Sequence, residues 1–331
     1  MKTPHGPGAA YGHGLVPGRF CPPHAGHHDL VRTALGRCAR VTVVVAGTAA
    51  DPLPPAERVA WMRELHPGAL VLGADTEPGT DLPAAVAAAV REPVDAVFTS
   101  APYGDALARR LGAVAVDPGR RAHPVTTAAV RADPAAHWDL LAAPVRAALT
   151  RRVVVLGAAH SGTTTLARAL TDHYRRRGGV WARTRCVPEP RAVRPGPGPS
   201  DGPPHSADFP VLAQEQAERE EEAARAGSPL LVCDTDAFAT AVRHERDLGT
   251  VSPATGAVAA RGRHDLWLLT DHRGAGPADD GTRAWTTARL LARLTRTGRR
   301  TVVLTGPHEE RLATAVAAVD ALLATPFPER R

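Results

Sequence analysis

The chain has 331 residues, 44% of them hydrophobic, and a formal net charge of +6. A length of this order favours two domains, and the hydrophobic fraction is sufficient for two buried cores. No run of roughly eighteen apolar residues occurs, which excludes a transmembrane helix. The N-terminus also lacks the apolar stretch of a secretory signal peptide. We therefore expect a cytoplasmic protein without membrane insertion.

Charge and cysteine content narrow the classes of partner. Lys2 is the only lysine, so the positive charge comes almost entirely from arginine. Nucleotide phosphates are sufficient anionic partners for this charge, and we expect no nucleic-acid partner. Cys21, Cys38, Cys186 and Cys233 are scattered, without a Cys-x-x-Cys spacing. This pattern indicates reduced thiols rather than a disulfide framework or a zinc site.

The first half of the chain alternates short apolar runs with helical stretches. We predict strands at 15–16, 41–46, 69–72, 96–99 and 113–116. We predict helices at 28–37, 55–65, 82–91 and 105–111, with a closing helical segment at 134–150. Such alternation predicts an α/β domain with a doubly wound parallel sheet, in which ligands bind at the carboxyl ends of the strands.

A ten-residue segment after the first strand carries the most specific signal. It reads Gly18-Arg19-Phe20-Cys21-Pro22-Pro23-His24-Ala25-Gly26-His27 and fits the pattern G-x-F-x-P-x-H-x-G-H in full. His24 and His27 lie about one helical turn apart, so both imidazoles can face one phosphate. A helix that begins here would add free N–H groups and a positive dipole end. The segment resembles the HxGH nucleotidyltransferases, which transfer a nucleotidyl group to a phosphate-bearing acceptor.

A second α/β series begins at Arg151. Its predicted strands are 153–156, 230–233, 265–269 and 301–304. Its predicted helices are 211–226, 237–246, 286–297 and 309–323. We therefore assign residues 1–14 to a disordered tail, 15–150 to a first domain and 151–331 to a second doubly wound domain. A Pro- and Gly-rich stretch at 188–210 is predicted to be a mobile loop, and 271–286 a lid.

The loop after strand 153–156 is similar to a phosphate-binding P-loop that has lost its lysine. Residues 157–164 match G-x-x-x-x-G-K-[ST], except that Thr163 replaces the lysine. The loop backbone can still cradle phosphates, and Thr164 can still bind magnesium. The missing ammonium must be replaced by an arginine, or magnesium and the backbone must suffice.

Two carboxylates, Asp234 and Asp236, follow the apolar strand 230–233. This is the layout of a Walker-B strand, with Asp234 directed towards magnesium. Asp236 could hold an acceptor hydroxyl or act as a base. Both carboxylates could instead be helix N-caps. In the predicted lid, Arg283 could close onto the transferred phosphate or be a solvated loop arginine.

The pairing of an HxGH domain with a P-loop domain resembles the NadR-type bifunctional proteins. These join a nicotinamide mononucleotide adenylyltransferase to a ribosylnicotinamide kinase. In the first half the resemblance rests on the histidine segment and on residues 57–62, 99–104, 116–117 and 124–131. In the second half it rests on the P-loop and on residues 188–191, 208–222, 233–237, 268–271 and 280–283.

The resemblance implies a role in NAD biosynthesis or salvage. The first domain would transfer the adenylyl group of ATP to nicotinamide mononucleotide, giving NAD and pyrophosphate. The second would phosphorylate ribosylnicotinamide with a second ATP, with Mg²⁺ as cofactor. The resemblance also implies a functional link to a ribosylnicotinamide transporter. The residues leave open whether the chain forms a homo-oligomer and whether it prefers the nicotinamide or the nicotinic acid form.

The roles that follow for single residues fall into four groups. The catalytic candidates are His24, His27, Arg131, Asp234 and Asp236. The ATP-binding candidates of the first domain are Gly18, Arg19, Phe20, His24, His27, Thr126 and Arg131. Those of the second domain are Gly157, His160, Ser161, Gly162, Thr163, Thr164, Thr165 and Arg283. The substrate-binding candidates are Trp61, Tyr103, Glu189, Arg191 and Asp236, and the magnesium ligands are Thr164 and Asp234. Trp61 could instead be a buried core residue.

The chain departs from the family pattern at Ala101, Ala128, Ala159, His160 and Thr163, and no tryptophan precedes Asp279 in the predicted lid. Ala159, His160 and Thr163 lie in the P-loop, so the adenylyltransferase assignment is firmer than the kinase assignment. Some family members carry an N-terminal DNA-binding domain. Because 17 residues precede Gly18, we expect no repressor activity here.

Three other functions remain open. A nucleotidyltransferase acting on phosphopantetheine or a sugar phosphate would share the histidine segment, but it would not explain the attached P-loop domain. A monofunctional nucleotidyltransferase could carry a degenerate kinase domain that senses nucleotides or binds a partner. A non-catalytic nucleotide sensor is the third.

Overall fold

The computed structural model describes residues 9–76, 81–119, 125–190, 205–273 and 281–325. The chain divides into two units between Val145 and Arg146. The sequence predicted a boundary at 150, and the observed division lies within the last helix before that position. In the described residues, no helix is long and apolar enough to cross a membrane.

The first unit contains a parallel five-stranded sheet. Its strands are β1 (Tyr11–Gly18), β2 (Cys38–Gly47), β3 (Leu70–Asp75), β4 (Ala96–Phe98) and β5 (Val114–Val116). Its helices are α1 (Ala25–Leu35), α2 (Pro55–Leu65), α3 (Leu82–Ala89), α4 (Gly104–Leu111) and α5 (Thr127–Ala132). A 3₁₀ turn at Trp138–Leu140 and α6 (Ala143–Leu149) stand where one closing helix was predicted.

The order of this sheet is β3-β2-β1-β4-β5. Successive connections therefore leave β1 towards β2 on one side and return to β4 on the other. The point where the strand order reverses is where ligands bind in open α/β sheets. The central strands are buried on both faces, with Val43 and Val45 in one apolar cluster and Val44 and Ala46 in the other. This explains why strand 41–46 reads as an unbroken apolar run.

The first strand starts inside the predicted tail. β1 begins at Tyr11, and His13 on that strand is buried. Its ring nitrogens lie 2.8 Å from the Pro93 carbonyl oxygen and 2.8 Å from Thr42 Oγ1. The prediction of disorder for 1–14 is therefore wrong from Tyr11 onward, because polar and glycine residues concealed a strand that pairs with β2.

The second unit repeats the layered architecture with a different strand order. Its sheet is also parallel, in the order β10-β9-β6-β8-β7. The strands are β6 (Arg151–Gly157), β7 (Arg185–Val187), β8 (Leu230–Asp234), β9 (Leu266–Thr270) and β10 (Thr301–Leu304). The helices are α7 (Thr163–Arg175), α8 (Asp208–Ala226), α9 (Ala237–Leu248), α10 (Pro253–Arg261), α11 (Thr282–Arg296) and α12 (His308–Leu323), with a 3₁₀ turn at Gly179–Arg183.

The fold class predicted from the sequence is confirmed: both units are α/β with doubly wound parallel sheets. Strand β7 and helix α10 of the second unit were missed, as was the 3₁₀ turn. Strand β7 has only three residues, which is too short for a periodic pattern. Helix α10 begins at Pro253, after Ser252, whose hydroxyl accepts the Thr255 N–H at 3.2 Å. Ser followed by Pro is a helix-start signal that was available in the sequence.

Candidate functional site

The turn after β1 places both histidines of the HxGH segment at the N-terminus of α1. His24 is the N-cap residue, and His27 lies in the first turn. The helix begins at Ala25, three residues earlier than predicted. His27 Nδ1 accepts the backbone N–H of His24 at 3.2 Å, and the two ring centroids are 3.7 Å apart. Because Nδ1 is an acceptor here, the proton of a neutral His27 ring is on Nε2.

Phe20 supports the two histidines from below. Its side chain is 1% exposed, and its ring lies edge-on to His27 with centroids 5.0 Å apart. A Cβ on Gly18 would come within 3.0 Å of the Phe20 ring, so glycine is needed for this approach. The ATP-binding role predicted for Phe20 is replaced by a packing role, because its ring is buried beneath His27.

A cavity of about 490 Å³ opens above this turn, at the reversal point between β1 and β4. The HxGH segment forms one wall with Gly18, Arg19, His24 and His27. The segments after β4 and β5 and the start of α5 form the rest, with Thr99, Ser100, Ala101, Tyr103, Pro118, Gly119, Val125, Thr126 and Thr127.

Two segments about a hundred residues apart meet in this cavity. His24 Nε2 lies 3.4 Å from Thr127 Oγ1. Thr126 caps α5 by accepting the Ala129 N–H at 3.1 Å. The sequence predicts phosphate binding for both segments, and the fold brings them to the same cavity.

The other first-domain candidates lie around or below the cavity. Arg19 is at its rim, half exposed, with Asp51 at 3.6 Å. Arg131 donates to the Cys21 carbonyl at 3.2 Å and so reaches the HxGH turn from α5. Tyr103 lines the cavity. Burial raises the pKa of its phenol, which therefore stays neutral. Trp61 is 8% exposed within α2 and does not line the cavity, so its burial supports the core role.

Arg58, a fully buried arginine, was not recognised as a site residue from the sequence. Its guanidinium donates to the Ala46 carbonyl at the end of β2 at 3.1 Å and to the Arg19 carbonyl in the HxGH turn. It also pairs with Asp51 Oδ2 at 2.6 Å. Arg58 therefore ties the cavity turn to the neighbouring strand.

In the second unit, the loop after β6 has the compact geometry of a phosphate cradle. Ser161 Oγ donates to the Ala158 carbonyl at 2.7 Å and lies 2.6 Å from Thr270 Oγ1. A Cβ on Gly157 would meet Thr270 Oγ1 at 2.0 Å, and Gly162 adopts φ +86° at the N-cap of α7. His160 also has a positive φ, of 65°. Backbone held in this region by its surroundings is common where a ligand binds.

The two predicted magnesium ligands are in contact. Asp234 ends β8, and its carboxylate is hydrogen-bonded to the Thr164 side chain in the first turn of α7. Burial raises the pKa of Asp234, and the Thr164 hydrogen bond opposes that rise. A hydroxyl and a buried carboxylate supply oxygen ligands of the kind that Mg²⁺ prefers.

Asp236 lies apart from this pair. Its side chain is 1% exposed; Oδ1 accepts the Ala239 N–H at 2.8 Å and caps α9, and Oδ2 accepts Trp267 Nε1–H at 3.0 Å. With both oxygens engaged in the interior, its contacts support the capping alternative and not the substrate-holding role. We leave Asp236 out of the candidate site.

Two cavities flank the loop of the second unit. The first, of about 320 Å³, is lined by Gly157, Thr163 and Asp234 and by Glu189, Arg243, Arg246, Thr286 and Leu290, among others. Glu189 forms an ion pair with Arg243 there. The second, of about 810 Å³, is lined by His160, Ser161, Gly162 and Thr165 and by Asp271, Arg273, Gly306, His308 and Arg311, among others.

Four arginines that the sequence had not singled out surround the loop. Arg311 donates to the Ser161 carbonyl at 2.8 Å and to the Asp271 carbonyl at 3.2 Å. Arg273 pairs with Asp271 at 2.6 Å. Arg246 lines the smaller cavity. Arg168 lies on α7 one turn after Thr164, and its charge lowers the pKa of Asp234 against the larger effect of burial.

Arg283 and Arg191 contribute less to this picture. Arg283 lies in the first turn of α11 and does not line either cavity. Arg191 is outside the described residues, as are parts of the predicted loop 188–210 and of the predicted lid 271–286.

Comparison with known proteins agrees with this architecture. No curated protein matches the chain significantly by sequence. Residues 152–311 match a family described as AAA domain. Two solved structures, of NadR protein in complex with NR and of NadR protein in complex with NAD and AMP-PNP, superpose with a TM-score of 0.72 each. Their identities are 18% and 19%, over 97% of this chain and 98% of theirs. The chain therefore has the two-domain fold of the NadR structures.

Proposed function

We propose that this protein is an enzyme of NAD metabolism in which each domain uses ATP. The first domain transfers the adenylyl group of ATP to nicotinamide mononucleotide, and the second phosphorylates ribosylnicotinamide. The observation that carries the proposal is the meeting of His24 and Thr127 in one cavity with His27 and Thr126. The NadR structures of the same fold hold NR in one case and NAD with AMP-PNP in the other, which supports this choice of substrates.

In the first domain, the polyphosphate of ATP lies against the N-terminus of α1. His24, His27, Thr126 and the backbone N–H groups of the first turn donate to its oxygens. The phosphate of the mononucleotide attacks the α-phosphorus, and the bond to the bridging oxygen breaks as pyrophosphate leaves. The side chains position the reactants and neutralise charge, so a side-chain nucleophile is unnecessary.

Phe20 and Arg58 act on this reaction through the HxGH turn. Phe20 fixes the position of the His27 ring, and Arg58 fixes the Arg19 carbonyl. They are positioning residues, because their contacts are to the turn and not to the cavity.

In the second domain, the 5′-hydroxyl of ribosylnicotinamide attacks the γ-phosphorus of ATP. The bond from that phosphorus to the β–γ bridging oxygen breaks as ADP leaves, and the hydroxyl proton is released to solvent. The loop backbone holds the phosphates, and Thr164 and Asp234 fit a bound Mg²⁺, which would neutralise charge on the transferred phosphate. The acceptor occupies the cavity lined by Glu189, Asp234 and Arg243, where Glu189 orients the hydroxyl. The base of ATP occupies the cavity on the His160 and Arg273 side of the loop.

The charge of the missing lysine is supplied by arginine. Side chains on a helix lean towards its N-terminus, so Arg168 on α7 leans back towards Thr164 and the loop. Its guanidinium can bind a phosphate oxygen on the acceptor side.

One experiment tests both assignments. The full chain is incubated with Mg²⁺ and ATP and either nicotinamide mononucleotide or ribosylnicotinamide, and NAD and ADP are separated and measured. NAD from the first mixture and ADP from the second are expected. NAD alone would indicate a degenerate second domain, which the absence of the P-loop lysine favours as the second candidate. Formation of neither product would overturn the proposal in favour of a nucleotide sensor.

A further inference from the structure

A group of metal-ligating side chains lies behind β8, on the opposite face from the magnesium ligands. Because side chains alternate along a strand, Cys233 faces away from Asp234 and into the apolar core. Glu220 on α8 and His264, just before β9, meet it there. One ligand atom from each of the three lies within 4.8 Å of the others.

The His264 ring lies between two carboxylates and makes a close contact with one of them. Its Nε2 lies 2.7 Å from Glu220 Oε2, whereas its Nδ1 is 3.8 Å from Asp236 Oδ2 and makes no hydrogen bond. The side chain is only 4% exposed, so this nitrogen is also withheld from bulk water. A buried polar atom without a partner costs free energy and calls for an explanation.

We propose that Cys233, His264 and Glu220 bind a Zn²⁺ ion that stabilises the second domain. Thiolate sulfur, imidazole nitrogen and carboxylate oxygen together are a donor set that selects zinc over Mg²⁺ or Ca²⁺. A cavity of about 310 Å³ is lined by Glu220 and His264, among others. A water from this cavity would be the fourth ligand. The site is separate from the proposed reactions and does not depend on them.

The orphan nitrogen of His264 has a partner in the metal-bound state. Zinc-binding histidines usually donate their second N–H to a carboxylate. Asp236 is already fixed for this role by Trp267 and by the α9 cap. A movement of the ring by about 1 Å away from Glu220 and towards Asp236 would give Nδ1 a normal hydrogen bond and make room for the ion at Nε2.

Charge balance favours the same site. Thiolate and Glu220 carboxylate together neutralise Zn²⁺, which reduces the cost of burial. Binding then forms the zinc–sulfur bond and releases the thiol proton, and any proton that His264 shares with Glu220 leaves as well.

The test uses the full chain, purified, treated with a chelator and dialysed. Zn²⁺ is titrated calorimetrically, and Co²⁺ serves as a spectroscopic probe because a cobalt–thiolate bond gives a charge-transfer band in the near ultraviolet. The variants are Cys233→Ala and His264→Gln. Cys186→Ser is the matched control, since Cys186 belongs to the same domain but not to the cluster.

We expect one Zn²⁺ per chain, a cobalt–thiolate band in the wild type and in Cys186→Ser, and its loss in both cluster variants. Saturation with zinc should raise the unfolding midpoint by about 5 °C. The absence of a cobalt–thiolate band in the wild type overturns the proposal even if the variants fail to fold. Equal zinc affinity in folded Cys233→Ala overturns it as well, because the ion would then be held by histidines elsewhere.

Discussion

The two proposed nucleotide sites differ in where their positive charge comes from. In the first domain, imidazoles at the start of α1 and hydroxyls at the start of α5 line one cavity. In the second, the loop and the Thr164–Asp234 pair are in place, but the lysine position holds Thr163 and arginines surround the loop from other elements. Both sites use a helix N-terminus beyond a central strand. Backbone geometry and local charge are therefore separable parts of these proposed phosphate sites.

The largest effect should come from removing His24. His24→Ala is expected to lower adenylyl transfer by on the order of 10³-fold, because a donor to developing phosphate charge is lost. Turnover of ribosylnicotinamide by the second domain should be unchanged and serves as an internal control. His137→Ala is a matched histidine variant outside the cavity lining. Unaltered NAD synthesis in His24→Ala would remove the histidine from the mechanism.

The second effect separates Asp234 from Asp236. Asp234→Asn should reduce kinase turnover by on the order of 10²-fold through loss of a magnesium ligand, with little change in unfolding. Asp236→Ala should keep turnover per folded molecule but destabilise the domain by about 2 kcal/mol, because a helix cap and a buried hydrogen bond are lost. Turnover and chemical unfolding of both variants check this. The reverse pattern would restore Asp236 as a site residue.

A smaller effect is expected from restoring the lysine. Thr163→Lys should lower the KM for ATP in the kinase reaction by about tenfold, the equivalent of about 1.4 kcal/mol. Arg168→Gln should raise the same KM, and Thr163→Lys should rescue it. A lysine variant that gains nothing, beside an Arg168 variant that loses nothing, would mean that charge at this loop is not limiting.

The last prediction concerns folding stability and not turnover, at His28, which follows the HxGH segment but does not line the cavity. Burial, then the charge of neighbouring His66, lowers the pKa of His28 to about 4, and its Nδ1 lies 2.9 Å from His66 Nε2. Between pH 6.5 and 4, His28 binds a proton in the unfolded chain but not in the folded chain. The free energy of unfolding therefore falls as the pH falls, by about 3 kcal/mol over this range.

His28→Gln should therefore flatten the fall in stability of the first domain between pH 6.5 and 4, while adenylyl transfer at pH 7.5 stays near the wild-type rate. Urea unfolding at several pH values measures the stability, and NAD formation at pH 7.5 measures adenylyl transfer. An unchanged pH dependence would show that His28 is protonated in the folded protein, and a large loss of turnover would add it to the site.

The sequence alone determined the fold class, the HxGH segment and the P-loop, because each is a local pattern. Continuous apolar runs such as 41–46 predict buried parallel strands, and the spacing of His24 and His27 needs only one helical turn. The position of Asp234 at the end of a strand was also predictable, since it directly follows an apolar run. Strand β7 and the start of β1 were missed because short or polar-rich strands carry a weak periodic signal.

Which of these groups line a cavity and which face the core depends on long-range packing. Asp236 and Phe20 have the right residue types for a site, but β8 and the HxGH turn direct them inward. Arg58 and Arg311 acquire their positions from hydrogen bonds to distant segments, so no local pattern marks them. The cysteine spacing predicted no zinc site, yet Cys233 meets Glu220 and His264, 13 residues before it and 31 after it, behind one strand. Spacing along a chain reports local geometry, whereas long-range neighbours are fixed by how strands and helices pack.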